Sequence, residues 1–363
     1  MPKTAPQFLL VEPLAKTPFP PLGLLKISSM LKKKYTQCNV FAQVGNGIPY
    51  GLHTPEEIYI TSLFTWDLDS VIKSIHYYQD SFPRSNIYVG GIAASVMPDH
   101  IKKLTGVVPH IGLLKEAEQC IPDYSLSFGR KLKASITFAT RGCPRHCKFC
   151  SVKIHEPVFS VRNNWEKDID PNLSRIIFWD NNWLASQNFE RDCLSIKKSG
   201  KIVDFNQWLD ARYYNEEIAK EFASLNIDPI RFAFDAIESE DYVLNAIRLT
   251  KKYTKKEIRV YVLYNFEDTP EDFYSRIDLL NKEGVLSFPM EYRKPTNLKT
   301  KFPGKNWNTA LLRGLKLSLI FYYKKGMITE SRKSFHSIYG KNDREFVSKL
   351  YDIFEYDKKL RKS

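Results

Sequence analysis

The chain has 363 residues, 43% of them hydrophobic, and a formal net charge of +13, which suits two domains with an extension and sizeable buried cores. No apolar run reaches the roughly eighteen residues of a transmembrane helix. The short apolar stretch in MPKTAPQFLLVEP is followed by no signal-peptide cleavage site, so a cytoplasmic protein with no membrane partner is expected.

In chain order, residues 8–11 form a short apolar run that stops at Glu12-Pro13. Pro20-Pro21-Leu22-Gly23 opens a helix to about Tyr35, with Leu24, Leu25, Ile27, Met30 and Leu31 at helical spacing. Residues 40–44 and 58–64 read as strands and 68–78 as an amphipathic helix. Residues 87–89 read as a fourth strand ending at Gly90-Gly91, and 97–104 is helical again. This alternation predicts a parallel α/β domain over 1–128, and a ligand of such a sheet sits beyond the carboxyl ends of its strands.

The basic stretch 125–133 reads as a linker. Strands are predicted at 135–139, 175–179, 203–206, 230–234, 259–263 and 287–290, with helices at 189–198, 216–225, 242–252 and 270–282. Six strand-helix units over 129–295 predict an open, partial (β/α)6 barrel, shorter than the closed eight-unit form. Residues 296–363 form a basic extension with helices expected at 307–323 and 344–360. From Lys324 to Ser363 it has eleven Lys or Arg against six Asp or Glu. The basic excess leaves nucleic acid as a candidate partner, although no zinc-finger or RNA-recognition signature accompanies it.

Three of the six cysteines (Cys38, Cys120, Cys143, Cys147, Cys150 and Cys193) fall within eight residues, which argues for metal binding rather than a disulfide framework. They form C-x3-C-x2-C in Thr140-Arg-Gly-Cys-Pro-Arg-His-Cys-Lys-Phe-Cys150. Three thiolates can hold three irons of a cubane and leave the fourth open to a small molecule. Zinc is the competing reading, with His146 or His155 as fourth ligand.

With Phe149 before the last cysteine, after the first strand of a partial barrel, this motif resembles the hallmark of the radical S-adenosylmethionine superfamily over about residues 135–292. The resemblance implies a 4Fe-4S cluster on Cys143, Cys147 and Cys150, with S-adenosylmethionine chelated at the unique iron. It also implies reductive cleavage to a 5′-deoxyadenosyl radical, and an electron donor such as flavodoxin or ferredoxin. Polar residues at barrel strand ends are then candidates for holding S-adenosylmethionine: Asp180, Asn181, Asn182, Asn206, Gln207, Asp210, Arg212, Asp235 and Asn265, with Phe149 beside them. Arg212 is expected to clamp the S-adenosylmethionine carboxylate as a fork. Helix capping and turn formation are the alternative role for each Asp and Asn. The glycine-rich turn that similar enzymes carry near 180–182 is absent. Trp179, Trp183 and Trp208 read as cavity wall or core. No residue stands out as a catalytic acid or base.

The amino-terminal domain resembles the cobalamin-binding, Rossmann-like domain of one branch of that superfamily. The resemblance rests on Pro20-Pro21-Leu22-Gly23-Leu24, on Thr61-Ser62-Leu63, and on Gly90-Gly91 after 26 further residues. It makes Thr61, Ser62, Leu63, Gly90 and Gly91 candidates for contacting cobalamin, the small residues allowing close approach. The histidine motif of that domain is missing: its place is LAKTPF at 14–19, and no histidine precedes His53. The domain is therefore expected either to bind cobalamin without a lower protein ligand, which would make methyl transfer the reaction, or to serve as a cofactor-free cap. Cys38 and Cys120 fall short of the three extra cysteines of the methylthiolating branch, and Cys193 reads as core. The rivals are a nucleic-acid-binding protein with a structural iron-sulfur centre, and a radical enzyme acting on nucleic acid without cobalamin. No residue pattern names the substrate.

Overall fold

The computed structural model describes residues 5–15, 17–298, 302–323, 326–328 and 331–361. Lys324, Lys325 and Lys362 of the basic tail, and Lys16 of the LAKTPF stretch, lie outside the described residues.

The first strand, β1 (Gln7–Glu12), is almost wholly buried, because it lies inside the sheet between β2 (Asn39–Val44) and β3 (Glu57–Thr61), with β4 (Asn86–Gly90) beyond β3. All three pairings are parallel. Alternate side chains of β1 serve opposite layers. Phe8 and Leu10 pack with α1 (Leu22–Lys34), while Leu9 and Val11 pack with α2 (Leu68–Ser81), α3 (Ile92–Val96) and α4 (Pro98–Thr105). The helix α1 ends in Lys32, Lys33 and Lys34, whose charges suit a helix carboxyl terminus. A short α5 (Lys115–Glu118) leads to the linker. The expected strand 58–64 stops at Thr61, since the carbonyl of Ser62 turns to accept from Ala93 N at the start of α3.

The barrel strands are β5 (Ala134–Thr137), β8 (Arg175–Phe178), β9 (Ile202–Phe205), β10 (Ile230–Ala233), β11 (Ile258–Tyr264) and β12 (Leu286–Glu291). They form two parallel three-stranded pieces, β5-β8-β9 and β10-β11-β12, joined by single bridges at Val203–Ile227 and Leu209–Phe232. Outside them lie α7 (Phe189–Ser199), α8 (Glu216–Ser224), α9 (Glu240–Tyr253) and α10 (Pro270–Lys282). The expectation of six uniform strand-helix units needs one correction. Between β5 and β8 the chain forms an antiparallel pair, β6 (Thr140–Arg141) and β7 (Ser160–Val161), around the cysteines and a one-turn α6 (Val152–His155). A covering helix is replaced there by the loop that carries the thiols.

Along β11, Ile258, Val260, Val262 and Tyr264 are buried in the core under the helices, and Arg259, Tyr261 and Leu263 between them stay partly exposed. That alternation leaves the inner face of the barrel accessible. The extension packs on α10 through α12 (Arg332–Tyr339) and α13 (Asp343–Leu360), and α11 (Thr309–Tyr322) packs against α13. Helix α12 was not anticipated: its only buried residues are Phe335 and Tyr339, too few for a clear period. No helix among the described residues is long and apolar enough to cross a membrane.

Candidate active site at the barrel mouth

The cysteine loop is tied at its base before it is tied anywhere else. Strands β6 and β7 pair Thr140 with Val161, and the Glu156 carboxylate accepts from Gly142 N at 2.7 Å, Arg141 Nη1 at 3.2 Å and Asn181 Nδ2 at 3.1 Å. Gly142 has φ +69°, and a Cβ there would lie 2.4 Å from the Val158 carbonyl oxygen; only glycine fits that crossing.

Cys143, Cys147 and Cys150 are free and partly exposed. Among the described residues no three Cys, His, Asp or Glu side chains are gathered as a preformed ligand set. The surroundings of the thiols nevertheless fit a cluster. Arg145 N donates to Cys143 Sγ at 3.4 Å and Asn182 Nδ2 approaches the same atom at 3.7 Å. Burial pushes the Cys147 and Cys150 thiols up, while Arg212 beside Cys147 and the Val152 amide beside Cys150 act in the opposite direction. Donors of this kind offset part of the burial cost of the thiolate, the form that binds iron.

The strand-end residues divide into three groups. Asp180 and Asn182 are buried within reach of the loop. Asp180 Oδ1 accepts from Thr140 Oγ1 at 2.8 Å and from the Thr140 amide, and its Oδ2 has no hydrogen-bond partner. Burial pushes its carboxyl up to about 7, against the pull of those two donors. Asn182 Nδ2 donates to Asp210 Oδ2 at 3.1 Å and also faces Cys143 Sγ, while its buried Oδ1 has no hydrogen-bond partner. Asp235 follows β10, its carboxyl pushed up to about 6 by burial with the Arg276 and Arg212 charges opposing. Asn206 and Gln207 follow β9, with no side-chain hydrogen bond to the described residues, and Gln207 is exposed.

Two expectations change. Arg212 is not a free fork: its Nε and Nη2 already bind Asp210 at 2.6 and 2.9 Å, so any carboxylate it meets must share it. Asn265 is a brace. It is fully buried at φ +71°, donates to the carbonyls of Tyr292 and Phe302, and accepts from Gly304 N. Its carboxamide thus fastens the extension to β11 and β12. Phe149 meets Phe266 edge-to-face at 5.7 Å, and Phe266 meets Tyr292 at 4.7 Å. These two aromatics, with Arg145, Glu118 and Glu156, carried no sequence signal that marked them for this site.

In the amino-terminal domain the residues singled out from the sequence come together. Thr61 ends β3. Ser62 Oγ donates to the Gly90 carbonyl and accepts from Ala94 N, both at 2.9 Å. A Cβ on Gly91 (φ +107°) would lie 2.3 Å from the Ser62 oxygen. The smallness of Gly91 is therefore required by the β3–α3 contact itself, whereas Gly90 has room, with His110 nearest at 4.0 Å. Leu63, Trp66 and Ile92 are exposed at the same carboxyl edge. The Arg293 guanidinium, just past β12, lies 5.0 Å from the Trp66 ring, so this edge faces the barrel mouth.

The two parallel sheets thus point their carboxyl ends at one another. The fold is shared with a radical S-adenosylmethionine methyltransferase. That enzyme, TsrM from Kitasatospora setae, was solved with cobalamin and a [4Fe-4S] cluster bound, and matches at TM-score 0.64 and 11% identity, covering 79% of this chain and 72% of that one. No protein-family profile and no curated protein matches the sequence. The expected fold class is therefore present: a Rossmann-like parallel domain, a partial barrel and a helical carboxyl-terminal region.

Proposed function

We propose that the chain is a radical S-adenosylmethionine enzyme whose 4Fe-4S cluster is held by Cys143, Cys147 and Cys150, and that its amino-terminal domain binds cobalamin for methyl transfer. The observation that carries this reading is the cysteine loop itself: three thiols, each facing an N–H donor, at the accessible mouth of a partial parallel barrel. A cluster with one open iron supplies the reductive cleavage of S-adenosylmethionine, and cobalamin would supply the methyl group.

The chain's own residues prepare the site. Asn182, whose buried Oδ1 has no partner, suits an ammonium group and is held in place by Asp210. The Asp210–Arg212 pair continues from Asn182 toward Cys147. Asn206 and Gln207 remain free for ribose hydroxyls, and Asp235 faces the loop from β10. Leu63, Trp66 and Ile92 offer an uncharged floor suited to a broad apolar macrocycle. No histidine lies in the segment after β1, so the protein would hold cobalamin without a lower ligand from that place. An electron donor such as flavodoxin or ferredoxin would reduce the cluster.

Protein purified without oxygen and reconstituted with iron and sulfide should produce 5′-deoxyadenosine from S-adenosylmethionine with dithionite, and Cys147→Ala should produce none. Added cobalamin should remain with the protein through gel filtration. A loaded cluster whose electron paramagnetic resonance spectrum ignores S-adenosylmethionine, with no 5′-deoxyadenosine formed, would overturn the enzyme reading. Loss of all cobalamin on the column would overturn methyl transfer from it.

A further inference from the structure

The base of the cysteine loop is the centre of a buried charge network that crosses the domain boundary. Arg141 stands two residues before Cys143 and is largely buried. Its Nη1 donates to Glu156 at 3.2 Å, while Nε and Nη2 donate to Glu118 Oε2 at 3.0 and 2.7 Å. The guanidinium also lies over the Phe138 ring. Glu118 belongs to α5, in the amino-terminal domain, and Glu156 belongs to the far end of the loop. One arginine therefore joins both ends of the cysteine segment to the neighbouring domain.

Lys26 of α1 extends the network. It is 1% exposed, with Nζ 3.8 Å from Glu118 Oε2, 3.6 Å from Asp168 Oδ2 and 3.4 Å from the Glu118 carbonyl oxygen. Asp168 in turn accepts from Arg162 at 2.8 Å and from Thr137 Oγ1 at 3.0 Å. Three cations (Lys26, Arg141, Arg162) thus meet three carboxylates (Glu118, Glu156, Asp168). Burial of this many charges is costly for stability compared with apolar packing, so stability alone is a poor reason for the arrangement. Its geometric effect is specific: the Gly142 amide, next to Cys143, is fixed by Glu156, and Glu156 also holds Asn181, next to Asn182.

We propose that Glu156 and Glu118 are positioning residues for the cluster, acting through Arg141, so that the seat of the cysteine loop is built jointly by the two domains. This rests on the reading of the loop as a cluster site. Glu156 sets the spacing between the two ends of the loop, and Glu118 sets the place of the loop relative to the amino-terminal sheet. Neither touches iron or substrate. The arrangement is the iron-sulfur counterpart of the outer-shell partners that orient metal ligands, whose loss typically weakens metal binding about 10–100-fold.

The test uses the reconstituted full chain and reads the rate of iron loss to a chelator, with the melting temperature of the apoprotein measured in parallel. Glu156→Ala should lose iron at least about tenfold faster than wild type, Glu118→Gln should fall between them, and Glu156→Gln should recover part of the loss because its oxygen still accepts from Gly142 N. Asp204→Asn is the control, since it breaks a buried pair with Arg231 at 2.6 Å that touches no residue of the loop; it should lower the melting temperature and leave iron loss unchanged. Wild-type rates in both Glu156→Ala and Glu118→Gln would overturn the proposal while leaving the enzyme reading intact. Equal acceleration in Asp204→Asn would also overturn it, by showing that iron loss follows general destabilisation. A wild-type chain that loads no cluster would sink the underlying reading as well.

Discussion

Asp180 carries a carboxyl that burial makes reluctant to ionise. Its folded pKa, about 7, lies above the ordinary 3.8. A raised acid favours the folded state fully below its unfolded pKa, and that contribution is lost as pH rises through the folded value. A shift of about three units corresponds to a ceiling of roughly 4 kcal/mol, lost between about pH 4 and pH 7. Asp180→Asn should remove that slope, so urea unfolding of the apoprotein should show the variant gaining on wild type as pH rises. A difference that stays flat with pH would refute the assignment. Asn182→Ala makes a different prediction. It should raise the S-adenosylmethionine concentration needed to perturb the cluster spectrum by about tenfold or more, with little change in melting temperature. At this scale the sequence was legible where chemistry is local. The C-x3-C-x2-C spacing needs no fold to be seen, whereas Glu118 lies 23 residues from its partner Arg141 with no pattern linking them. Asn265 could not be placed from the sequence, because asparagine after a strand suits a ligand site, a turn and a left-handed backbone equally well; its φ of +71° and backbone partners show the last two.

Among the elements, the extension offers the clearest test. Helices α11 and α13 approach so closely at Gly314 that a Cβ there would lie 2.1 Å from the Leu350 carbonyl oxygen. That oxygen belongs to helix backbone and cannot rotate away. Gly314→Ala should therefore separate the two helices and cost about 1–3 kcal/mol through overpacking. Hydrogen exchange should quicken most in α11 and α13, by local opening, and least in β1 and β3, whose cores are separate; an equal change throughout would contradict the close crossing. Most long helices were readable because each buries one face at the helical period, and most strands because a short apolar run, buried on both faces, stops at turn residues. The exceptions have physical causes. Helix α12 buries only Phe335 and Tyr339 and is tied otherwise by polar contacts, Asp278 receiving Arg332 at 2.7 and 2.9 Å and His336 at 2.7 Å, which leave no hydrophobic period. The β6–β7 pairing is only two residues long on each strand, below the length at which alternation means anything.

In the whole molecule, the histidine-free segment after β1 serves the contact between the domains. The residues after β1 run across the domain boundary. Arg130, in the linker, donates to both carboxylate oxygens of Glu12 at 2.6 and 2.7 Å, to the Thr17 carbonyl at 3.0 Å and to the Phe128 carbonyl at 3.2 Å. Two residues on, Phe19 meets Trp179 edge-to-face at 5.5 Å, beside a shared cluster of Leu22 from one domain and Ala134, Ile136, Phe138 and Ile177 from the other. Domains joined by small polar contacts move independently as a rule. Here the seam combines an apolar cluster, the Arg130 clamp and the Lys26–Glu118–Arg141 network, so the two domains should unfold together. Scanning calorimetry of the apoprotein should show one transition with matching calorimetric and van't Hoff enthalpies. Arg130→Ala leaves Glu12 buried without its counter-ion, which costs about 3–5 kcal/mol, and frees the segment after β1. Its transition should broaden or divide in two, with proteolysis appearing between residues 13 and 20. Two transitions already present in wild type would show that the seam does not couple the domains. A single, unshifted transition in Arg130→Ala would show that the apolar cluster couples them without the clamp.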